Sequence, residues 1–424
     1  MLPMRNGSVI ALRSFIISIG VTAASTFVGV YGVILGANAA DMGWLQSLAN
    51  SLSNGGQLLW GRISDKLGRR VPFILLASAV LAVLWFAMST VQTPLELIAV
   101  YALISLMGAM ITVNWFSLIA DVTDSSNRGH FLAAINNVGS IGTLVSVGAM
   151  VFLLHGSSRG ELEIPFIAAS ASYVVSAVLV SRLHEKEHRT KITSGLRKTL
   201  SEVRQHRIFY RYFVAMNVQG YFWSMAWPLF PITIVSIMHF DLSSVAVLTV
   251  ATLMATIAGQ YAFGKVVDRV DRAPLIFYNR MLLAAIPLMY AVFNTFSLFL
   301  VMEVYSGVLG AIQSVVMNSY LMDIVPPESR AEYISIINGF NGAVYFLGAL
   351  SGGYLLELLL SSFSLRTGLL IAYMVIMGGR FVSSFMFRGL EEPERRERGH
   401  LSLMNILFRT KYPGLPSGST VKPR

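Results

Sequence analysis

The chain has 424 residues, of which 54% are hydrophobic and only 13% are charged, and it contains no cysteine. A soluble globular chain carries about 25% charged residues, so this composition excludes a string of ordinary soluble domains. Without cysteine there is no disulfide, no thiolate metal site and no cysteine nucleophile, and we predict neither a metal nor a cofactor.

Twelve long apolar runs follow one another along the chain. A bilayer core requires about 20 apolar residues per helix, whereas a membrane β-strand shows about ten alternating residues. The runs are apolar on all sides, which predicts an all-α membrane protein with short hairpin turns. In chain order the predicted spans lie near 10–36, 43–61, 71–90, 95–120, 129–154, 164–183, 208–237, 243–264, 273–293, 296–322, 331–359 and 365–387.

The basic residues lie almost entirely on one side of the predicted membrane. Of the 32 lysines and arginines, Arg159 and Arg366 fall in loops on the other side, and Arg13, Arg280 and Arg380 fall within spans. Because basic residues concentrate in cytoplasmic loops, we predict a multi-pass protein of the cell membrane with both termini in the cytoplasm. The net charge of +10 then faces anionic membrane lipids rather than nucleic acid. We expect the three arginines within spans to extend to the inner surface.

The chain repeats itself once, with a period of about 200 residues. Residues 56–65 (GQLLWGRISD) resemble residues 259–268 (GQYAFGKVVD). A second match relates Asp121, Arg128 and Asn136 to Asp323, Arg330 and Asn338. The repeat predicts two pseudo-symmetric six-helix bundles. The predicted domains are the first half 1–183, a cytoplasmic linker 184–207, the second half 208–388 and a basic cytoplasmic tail 389–424.

The segment between the second and third spans carries the most specific motif. Residues 61–70 (GRISDKLGRR) resemble the signature loop of the major facilitator superfamily, G-x-x-x-D-[RK]-x-G-[RK]-[RK], at every defined position. The second copy, at 264–272, keeps the first glycine, the aspartate and the final arginine. The resemblance implies a secondary transporter, not an enzyme, in which the two bundles rock about a central solute site.

The same motif supplies the predicted gating residues. Glycine permits close approach and non-helical turns, so we expect Gly61 and Gly264 to end helices where two hairpins meet. By the resemblance, Asp65 takes part in a contact that latches the cytoplasmic side in the outward-facing state. The full set of predicted gating residues is Gly61, Asp65, Gly68, Arg69, Arg70, Asp121, Arg128, Gly264, Asp268, Arg272, Asp323 and Arg330.

Amide and aromatic side chains within the spans are the predicted solute contacts. Polar residues inside a membrane are costly, so they mark either function or contacts between helices. The resemblance places the first, fourth, seventh and tenth spans at the cavity. Amides donate and accept hydrogen bonds, which suits a small neutral polar or zwitterionic organic solute. The predicted contacts are Asn114, Asn217, Gln313, Trp223, Tyr221, Tyr101 and Tyr31.

One acid, Glu303, lies in the outer third of the tenth predicted span. Burial disfavours the charged form of a carboxyl, so Glu303 is the candidate for carrying a coupling proton. The alternative is an ordinary carboxylate that is wetted at the mouth of the cavity.

Uptake of a polar metabolite and efflux of an amphipathic compound both remain open. The fourth span lacks the arginine, and the fifth span the Gly-Pro pair, of proton-coupled drug exporters in this superfamily. A non-transporting membrane sensor or assembly partner with the same fold is the alternative function. It predicts loss of the signature loop and of the polar side chains within the spans, and neither is lost. We expect a monomer.

Overall fold

The computed structural model describes residues 4–122, 128–154, 159–183, 205–265, 267, 270–325 and 330–392. Within these residues the chain forms twelve long helical segments and no strand. The helices of the first half are α1 (Met4–Ile34), α2 (Ala39–Leu67), α3 (Val71–Thr90), α4 (Pro94–Val122), α5 (Arg128–Leu153) and α6 (Glu163–Val180). Each of these six is a continuous α-helix.

The second half repeats this arrangement, but three of its helices are interrupted. Its helices are α7 (Arg207–Ile237), α8 (Leu242–Gly264), α9 (Arg272–Val292), α10 (Phe296–Ile324), α11 (Arg330–Leu360) and α12 (Leu365–Ser384). A short 3₁₀ helix, Phe385–Gly389, follows α12.

Prolines account for the breaks in α7 and α9. In α7 the regular α-helix ends at Met225 and resumes at Leu229. Pro228 and Pro231 lie at this break, and proline has no N–H to donate to the preceding turn. In α9 the regular helix is lost at 284–285, immediately before Pro287. These helices therefore bend where the sequence removes backbone donors.

Two π-helical turns add further irregularity to the second half. One closes α7 at Thr233–Ile237, and the other lies within α10 at Gln313–Met317. Single π-turns inside α-helices occur frequently at functional sites. The turn in α10 begins at one of the predicted solute contacts, Gln313.

The predicted all-α membrane architecture is confirmed. Eleven of the helices are long and apolar enough to cross a bilayer. The exception is α2, whose polar side chains lower its mean hydropathy and which packs against α4 and α11. Large apolar side chains such as Leu95, Phe152 and Leu358 are mostly exposed on the outer surface of the bundle, as lipid-facing positions require.

The second helix is longer than its predicted span. The motif that begins at Gly61 starts on α2 itself, which continues to Leu67 and is ended by Gly68. The prediction that Gly61 ends a helix is therefore wrong. Gly68 has φ of 65°, the left-handed conformation that favours glycine at a helix C-terminus. The helix extends because residues 62–66 are compatible with a helical turn at a membrane surface.

The two ends of the helix bundle differ in their loops. We call the end that carries the short turns 35–38, 91–93, 238–241, 293–295 and 361–364 the hairpin end. The tight turns there are capped by polar side chains: Asn38, Asp241, Thr295 and Ser364 each accept a hydrogen bond from a backbone N–H of the following helix. We call the opposite end, which carries the signature motif, the basic end.

Buried apolar side chains form two separate clusters. The larger cluster contains residues from all six helices of the first half and from the hairpin-end portions of α7–α12. The smaller cluster contains only second-half residues at the basic end, among them Phe209, Tyr320 and Phe387. Among the described residues, the halves therefore share one core at the hairpin end and are not joined by a common core at the basic end.

Close backbone contacts explain how the halves join at the hairpin end. α2 packs along α11, and α5 packs along α8. A Cβ atom added to Gly353 of α11 would lie 2.5 Å from the carbonyl oxygen of Ala39 and 2.8 Å from Cα of Gly43. Ser47 Oγ donates to the carbonyl oxygen of Phe346 at 2.8 Å. Absence of side chains at these glycines lets the helices touch.

Candidate functional site

A cavity of about 420 Å³ lies between α1, α4 and α5 in the basic-end portion of the first half. It is lined by Arg13, Ser14, Ile17, Ser18, Ile111, Thr112, Trp115, Phe116, Ile119, Ile135, Asn136, Gly139, Ser140 and Thr143. Its wall combines hydroxyls, an amide, two aromatic rings and one guanidinium. This is the composition of a site that binds an organic molecule with a polar end.

The guanidinium of Arg13 is buried within the first half. Its side chain is 2% exposed, and its Nε donates to Ser176 Oγ of α6 at 2.9 Å. The guanidinium carbon lies 3.9 Å from the ring centroid of Trp115, a cation–π contact. Nη2 has no hydrogen-bond partner among the described residues. The prediction that Arg13 extends to the membrane surface is wrong, because Ser176 and Trp115 hold it inside the bundle.

Arg280 and Arg380, the two arginines within the predicted spans of the second half, are also buried, and the prediction that they extend to the surface is wrong. Arg280 of α9 donates from Nη1 to Gln313 Oε1 at 3.3 Å and contacts the sulfur of Met317. Both guanidinium groups approach the ring of Trp223, with the guanidinium carbon 5.9 Å from the ring centroid in Arg280 and 4.6 Å in Arg380. The structure thus brings together two predicted contacts, Gln313 and Trp223, around Arg280.

Arg380 donates hydrogen bonds to backbone carbonyl groups at the break in α7. Its Nε and Nη2 donate to the carbonyl oxygens of Phe222 and Trp223 at 3.3 and 2.8 Å. In a regular helix these two carbonyls would accept from Ala226 and Trp227. The N–H groups of both residues bond instead to the carbonyl of Ser224. Arg380 therefore replaces backbone donors that the irregular turn removes, which is a structural role.

The predicted amides do not converge on one point. Asn114 is fully buried, its Nδ2 donates to Met110 O at 2.8 Å, and it does not line the cavity described above. Asn217 is half-buried and donates to Phe213 O at 2.8 Å. The Oδ1 atoms of both have no partner among the described residues. Of these three amides, only Gln313 has a described hydrogen bond to a buried arginine, Arg280, which also lies near Trp223.

The predicted tyrosines make contacts within the protein. Tyr31 is buried and donates from its hydroxyl to Val91 O at 2.7 Å, at the hairpin end. Tyr221 donates to Ser351 Oγ at 2.8 Å. Tyr101 packs edge-on against Trp85, with ring centroids 6.4 Å apart. Each hydroxyl or ring described here has a helix-packing role.

Glu303 sits in a hydrogen-bonded cluster between α8, α9 and α10. Its Oε2 is 2.6 Å from Thr252 Oγ1, and its Oε1 accepts from the hydroxyl of Tyr290 at 3.0 Å. Tyr290 in turn packs against Phe230 with ring centroids 4.2 Å apart. No cation lies within ion-pair distance of Glu303 among the described residues. The carboxyl thus faces hydroxyl groups rather than a counter-ion.

Predicted gating residues form an ion pair at the basic end of each half. In the first half, Arg70 Nη2 lies 2.6 Å from Asp65 Oδ1, and Arg70 Nη1 donates to Ser64 Oγ at 2.7 Å. In the second half, Arg272 pairs with Asp323. Both described pairs are internal to one half, as is that of Arg211 with Glu391. The latch that the resemblance implies for Asp65 is accordingly not formed between the halves by the described ion pairs.

The structure describes the remaining predicted gating residues only in part. Gly264 ends α8 as predicted, but a Cβ there would meet nothing within 4 Å, so the close approach expected at Gly264 is wrong. Arg69 is exposed on the loop. Asp121, Arg128 and Arg330 belong to the ends of α4, α5 and α11, and their side chains lie outside the described residues, as does all of Asp268.

Sequence reasoning missed the surroundings of Arg13. An arginine within an apolar run was a visible signal, yet Trp115 and Ser176 are distant from it in the chain. It also missed Glu392, whose carboxylate accepts from the backbone N–H groups of Arg272 and Ala273 at 2.9 and 2.8 Å. A carboxylate at a helix N-terminus is stabilising, but the segment after α12 gave no pattern that pointed to α9.

Comparison with known proteins agrees with this architecture. A model of the Major Facilitator Superfamily matches residues 10–222 and again residues 212–413. The two matches correspond to the two halves of the internal repeat. No curated protein matches the chain in sequence.

Several solved structures share the fold. A nucleoside transporter, NupG, in a mutant form, has a TM-score of 0.73 and 14% identity, with 91% of this chain and 100% of that chain covered. A D-xylose–proton symporter has a TM-score of 0.69 and 13% identity, with 93% and 99% covered. A bacterial homologue of the lysosomal transporter Spinster, in an inward-facing and occupied conformation, has a TM-score of 0.66 and 13% identity, with 91% and 95% covered.

At such low identity the structural neighbours establish the fold alone. The family model, by contrast, covers both halves of the chain, and the signature motif lies within its first match. The chain belongs to the major facilitator superfamily, and it is accordingly a multi-pass membrane protein and a secondary transporter.

Proposed function

We propose that the chain moves a small organic solute across the cell membrane by alternating access, with its basic end in the cytoplasm. The observation that carries this proposal is the distribution of the core. The halves share one apolar cluster at the hairpin end, whereas the basic end of the second half has its own cluster. A transporter that is closed on one side and open on the other has this arrangement.

The orientation rests on charge. Both the signature motif and the start of α7 carry several arginines or lysines, whereas the hairpin turns carry few, and cytoplasmic loops are enriched in these residues. On this proposal the described conformation is open to the cytoplasm, and the basic surface faces anionic lipid headgroups. A monomer is sufficient as the working unit, because both halves of the path belong to one chain.

The solute path is proposed to lie between the halves, with contacts on both. Gln313 and Trp223 are supported by their position beside Arg280 and by the π-turn that begins at Gln313. Asn217 is half-buried, and its Oδ1 has no hydrogen-bond partner in the part of the chain that the structure describes. Asn114, Tyr31, Tyr101 and Tyr221 stay predictions, because their described contacts are with the protein itself.

Transport by the purified chain in proteoliposomes tests this proposal. The panel contains a nucleoside and D-xylose, after two of the structural neighbours, together with simple organic acids, each tested with and without a pH gradient. Saturable flux of at least one compound is expected. Absence of flux for every compound, in either direction, would favour a sensor or assembly role and contradict the proposal.

Three substitutions test the site for whichever solute is moved. Asn114→Ala, Asn217→Ala and Gln313→Ala each remove an amide from one span. We expect Gln313→Ala to weaken the apparent affinity most, since Gln313 also orients Arg280. Unchanged affinity in all three variants would exclude this placement of the solute.

We also propose that Glu303 carries the coupling proton. Thr252 has one hydroxyl hydrogen, yet its Oγ1 lies 2.6 Å from Glu303 Oε2 and 3.0 Å from Leu248 O, which are both acceptors when Glu303 is ionised. A protonated Glu303 resolves this conflict, because it donates to Thr252 while Thr252 donates to Leu248 O. Tyr290 still donates to the other carboxyl oxygen. The geometry therefore favours the neutral carboxyl in this conformation.

The variant Glu303→Gln keeps the shape of this cluster and removes the titrating proton. Transport that is driven by a pH gradient in the wild type should lose that dependence in Glu303→Gln, while exchange of solute across the membrane persists. The matched control is Glu357→Gln, which alters an exposed acid on α11. If Glu303→Gln and Glu357→Gln respond alike to the gradient, Glu303 is not the coupling group.

A further inference from the structure

We infer that the transported solute carries an oxyanion, a carboxylate or a phosphate ester, and that Arg13 is its counter-ion in the cavity between α1, α4 and α5. This inference rests on the proposed function and specifies the class of solute. It differs from the neutral polar or zwitterionic solute that the amide side chains favoured.

The charge of Arg13 is the first part of the argument. A guanidinium has five N–H donors and no acceptor, and burying an unpaired charge is costly. Among the described residues, Arg13 has one hydrogen-bond acceptor, Ser176, and no carboxylate within 4.0 Å. Ionisable residues retained inside a membrane bundle mark substrate or ion pathways. A bound anion supplies the missing partner.

The position of the guanidinium is fixed on two sides. Ser176 Oγ accepts from Nε, and Ser176 is itself held by Ser78 Oγ at 3.3 Å. Trp115 covers one face of the guanidinium at 3.9 Å. Nη2 is buried and has no hydrogen-bond partner among the described residues, and two guanidinium N–H groups side by side match the two oxygens of a carboxylate or phosphate. The site is thus preorganised before an anion arrives.

The cavity that Arg13 lines has room and chemistry for the rest of such a molecule. Its volume is about 420 Å³. Ser14, Thr112 and Ser140 present hydroxyls, and Ile17 and Phe116 present apolar surface. Asn136 and Ser140 are exposed at its rim, so the cavity is accessible. An organic anion with an apolar body fits both parts of this wall.

The other buried arginines do not offer an equally free fork. Arg380 is occupied by the carbonyls of Phe222 and Trp223. Arg280 donates from Nη1 to Gln313, and its Nη2 contacts the sulfur of Met317, so that only its Nε lacks a partner among the described residues. The unpartnered Nη2 of Arg13, in a side chain that lines a cavity, is therefore the feature that selects the first half as the anion-binding half.

Uptake assays in proteoliposomes with four chosen probes test the inference. The probes are 3-phenylpropionate, its uncharged amide 3-phenylpropionamide, phenyl phosphate and phenol, with thermal stabilisation of the purified protein by each probe as a second readout. The wild type should take up and be stabilised by an anionic probe in preference to its uncharged counterpart. The carboxylate and phosphate arms show which oxyanion is preferred.

Three variants complete the test. Arg13→Gln should reduce uptake of the preferred anion by about tenfold or more, the effect of losing charge-assisted hydrogen bonds. Arg13→Lys keeps the charge without the fork and should retain part of the uptake, which also shows that the position tolerates substitution. Arg366→Gln removes an equal charge from the exposed hairpin surface and should behave as wild type.

The outcomes separate this inference from the proposed function. Equal uptake of anionic and uncharged probes, or equal anion uptake by Arg13→Gln and Arg366→Gln, overturns the inference. Flux of a nucleoside or D-xylose without any uptake or binding of either anion also overturns it, while the proposed transport function stands. Absence of flux for every compound contradicts both.

Discussion

The two halves share one sequence repeat and one arrangement of six helices, yet they differ in backbone regularity. All six helices of the first half are continuous, whereas α7, α9 and α10 of the second half are interrupted by prolines or π-turns. The arginines buried within the spans also differ between the halves in the contacts that they make. Arg13 lines a cavity and its Nη2 has no partner among the described residues, whereas both Nη groups of Arg280 and the Nε and Nη2 of Arg380 contact protein atoms.

This difference indicates a division of roles within a common fold. Trp115 and Met317 occupy equivalent positions in the repeat, because each lies six residues before one of the matched aspartates. Each is in contact with a buried guanidinium, that of Arg13 in the first half and that of Arg280 in the second. In the second half the arginines compensate irregular helices. In the first half the helices need no compensation, which leaves Arg13 available for a ligand.

The largest expected effect on transport comes from preventing the halves from meeting. In Gly353→Ala, the added Cβ would lie 2.5 Å from Ala39 O and 2.8 Å from Cα of Gly43, and overpacking of this kind costs about 1–3 kcal/mol. We expect hairpin-end closure to fail and the transport rate to fall about tenfold or more. Gly55→Ala on α2, where a Cβ meets nothing within 4 Å, is the control, and equal rates in both variants would show that this contact does not gate.

The contrast between the arginines predicts a difference in stability. Arg380→Gln leaves the carbonyls of Phe222 and Trp223 without donors, at a cost of about 1–3 kcal/mol for each. Thermal unfolding in detergent should show a clear loss of stability. Arg13→Gln should be much less destabilising, since it relieves an incompletely paired buried charge. Similar losses in both variants would remove the proposed distinction between the halves.

A smaller effect on stability is expected when the break in α7 is removed, if that break is what makes Arg380 necessary. Replacing Pro228 and Pro231 with alanine restores two backbone donors. The N–H of residue 228 can then bond to Ser224 O, which frees the N–H groups of Ala226 and Trp227 to bond to the carbonyls of Phe222 and Trp223. In that background Arg380→Gln should cost about 1 kcal/mol less than in the wild type, measured as a double-mutant cycle. An unchanged cost would mean that the carbonyls are freed by something other than the prolines.

The smallest effect is expected at Tyr31. Its hydroxyl donates to Val91 O in the buried hairpin-end core, so Tyr31→Phe should cost about 1 kcal/mol of stability. Solute affinity should be unchanged if this tyrosine only ties α1 to the turn after α3. An altered affinity for the transported solute would show that Tyr31 contributes to the solute site.

Much of the fold could be predicted because membrane helices are specified locally. The length of each apolar run, the one-sided charges and the duplicated motif predict twelve helices in two halves. The α2 boundary was missed because residues 62–66, which are all polar except Ile63, are still helical. The basis for contacts such as Arg13 with Trp115, or Glu303 with Thr252, lies in packing between helices far apart in the chain. Periodicity in one helix carries no information about the side chain that faces it on another.

The central claim is that the halves rock about a site between them, closing one end as the other opens. The cysteine-free chain allows spin-label pairs at exposed positions, Leu67 with Tyr261 at the basic end and Gln92 with Asn294 at the hairpin end. The distance between the two labels of each pair should be measured by double electron–electron resonance in lipid nanodiscs and compared between the wild type and Gly353→Ala. Gly353→Ala should lengthen the hairpin-end distance and shorten the basic-end distance. Two distances that change in the same direction, or do not change, would contradict the account.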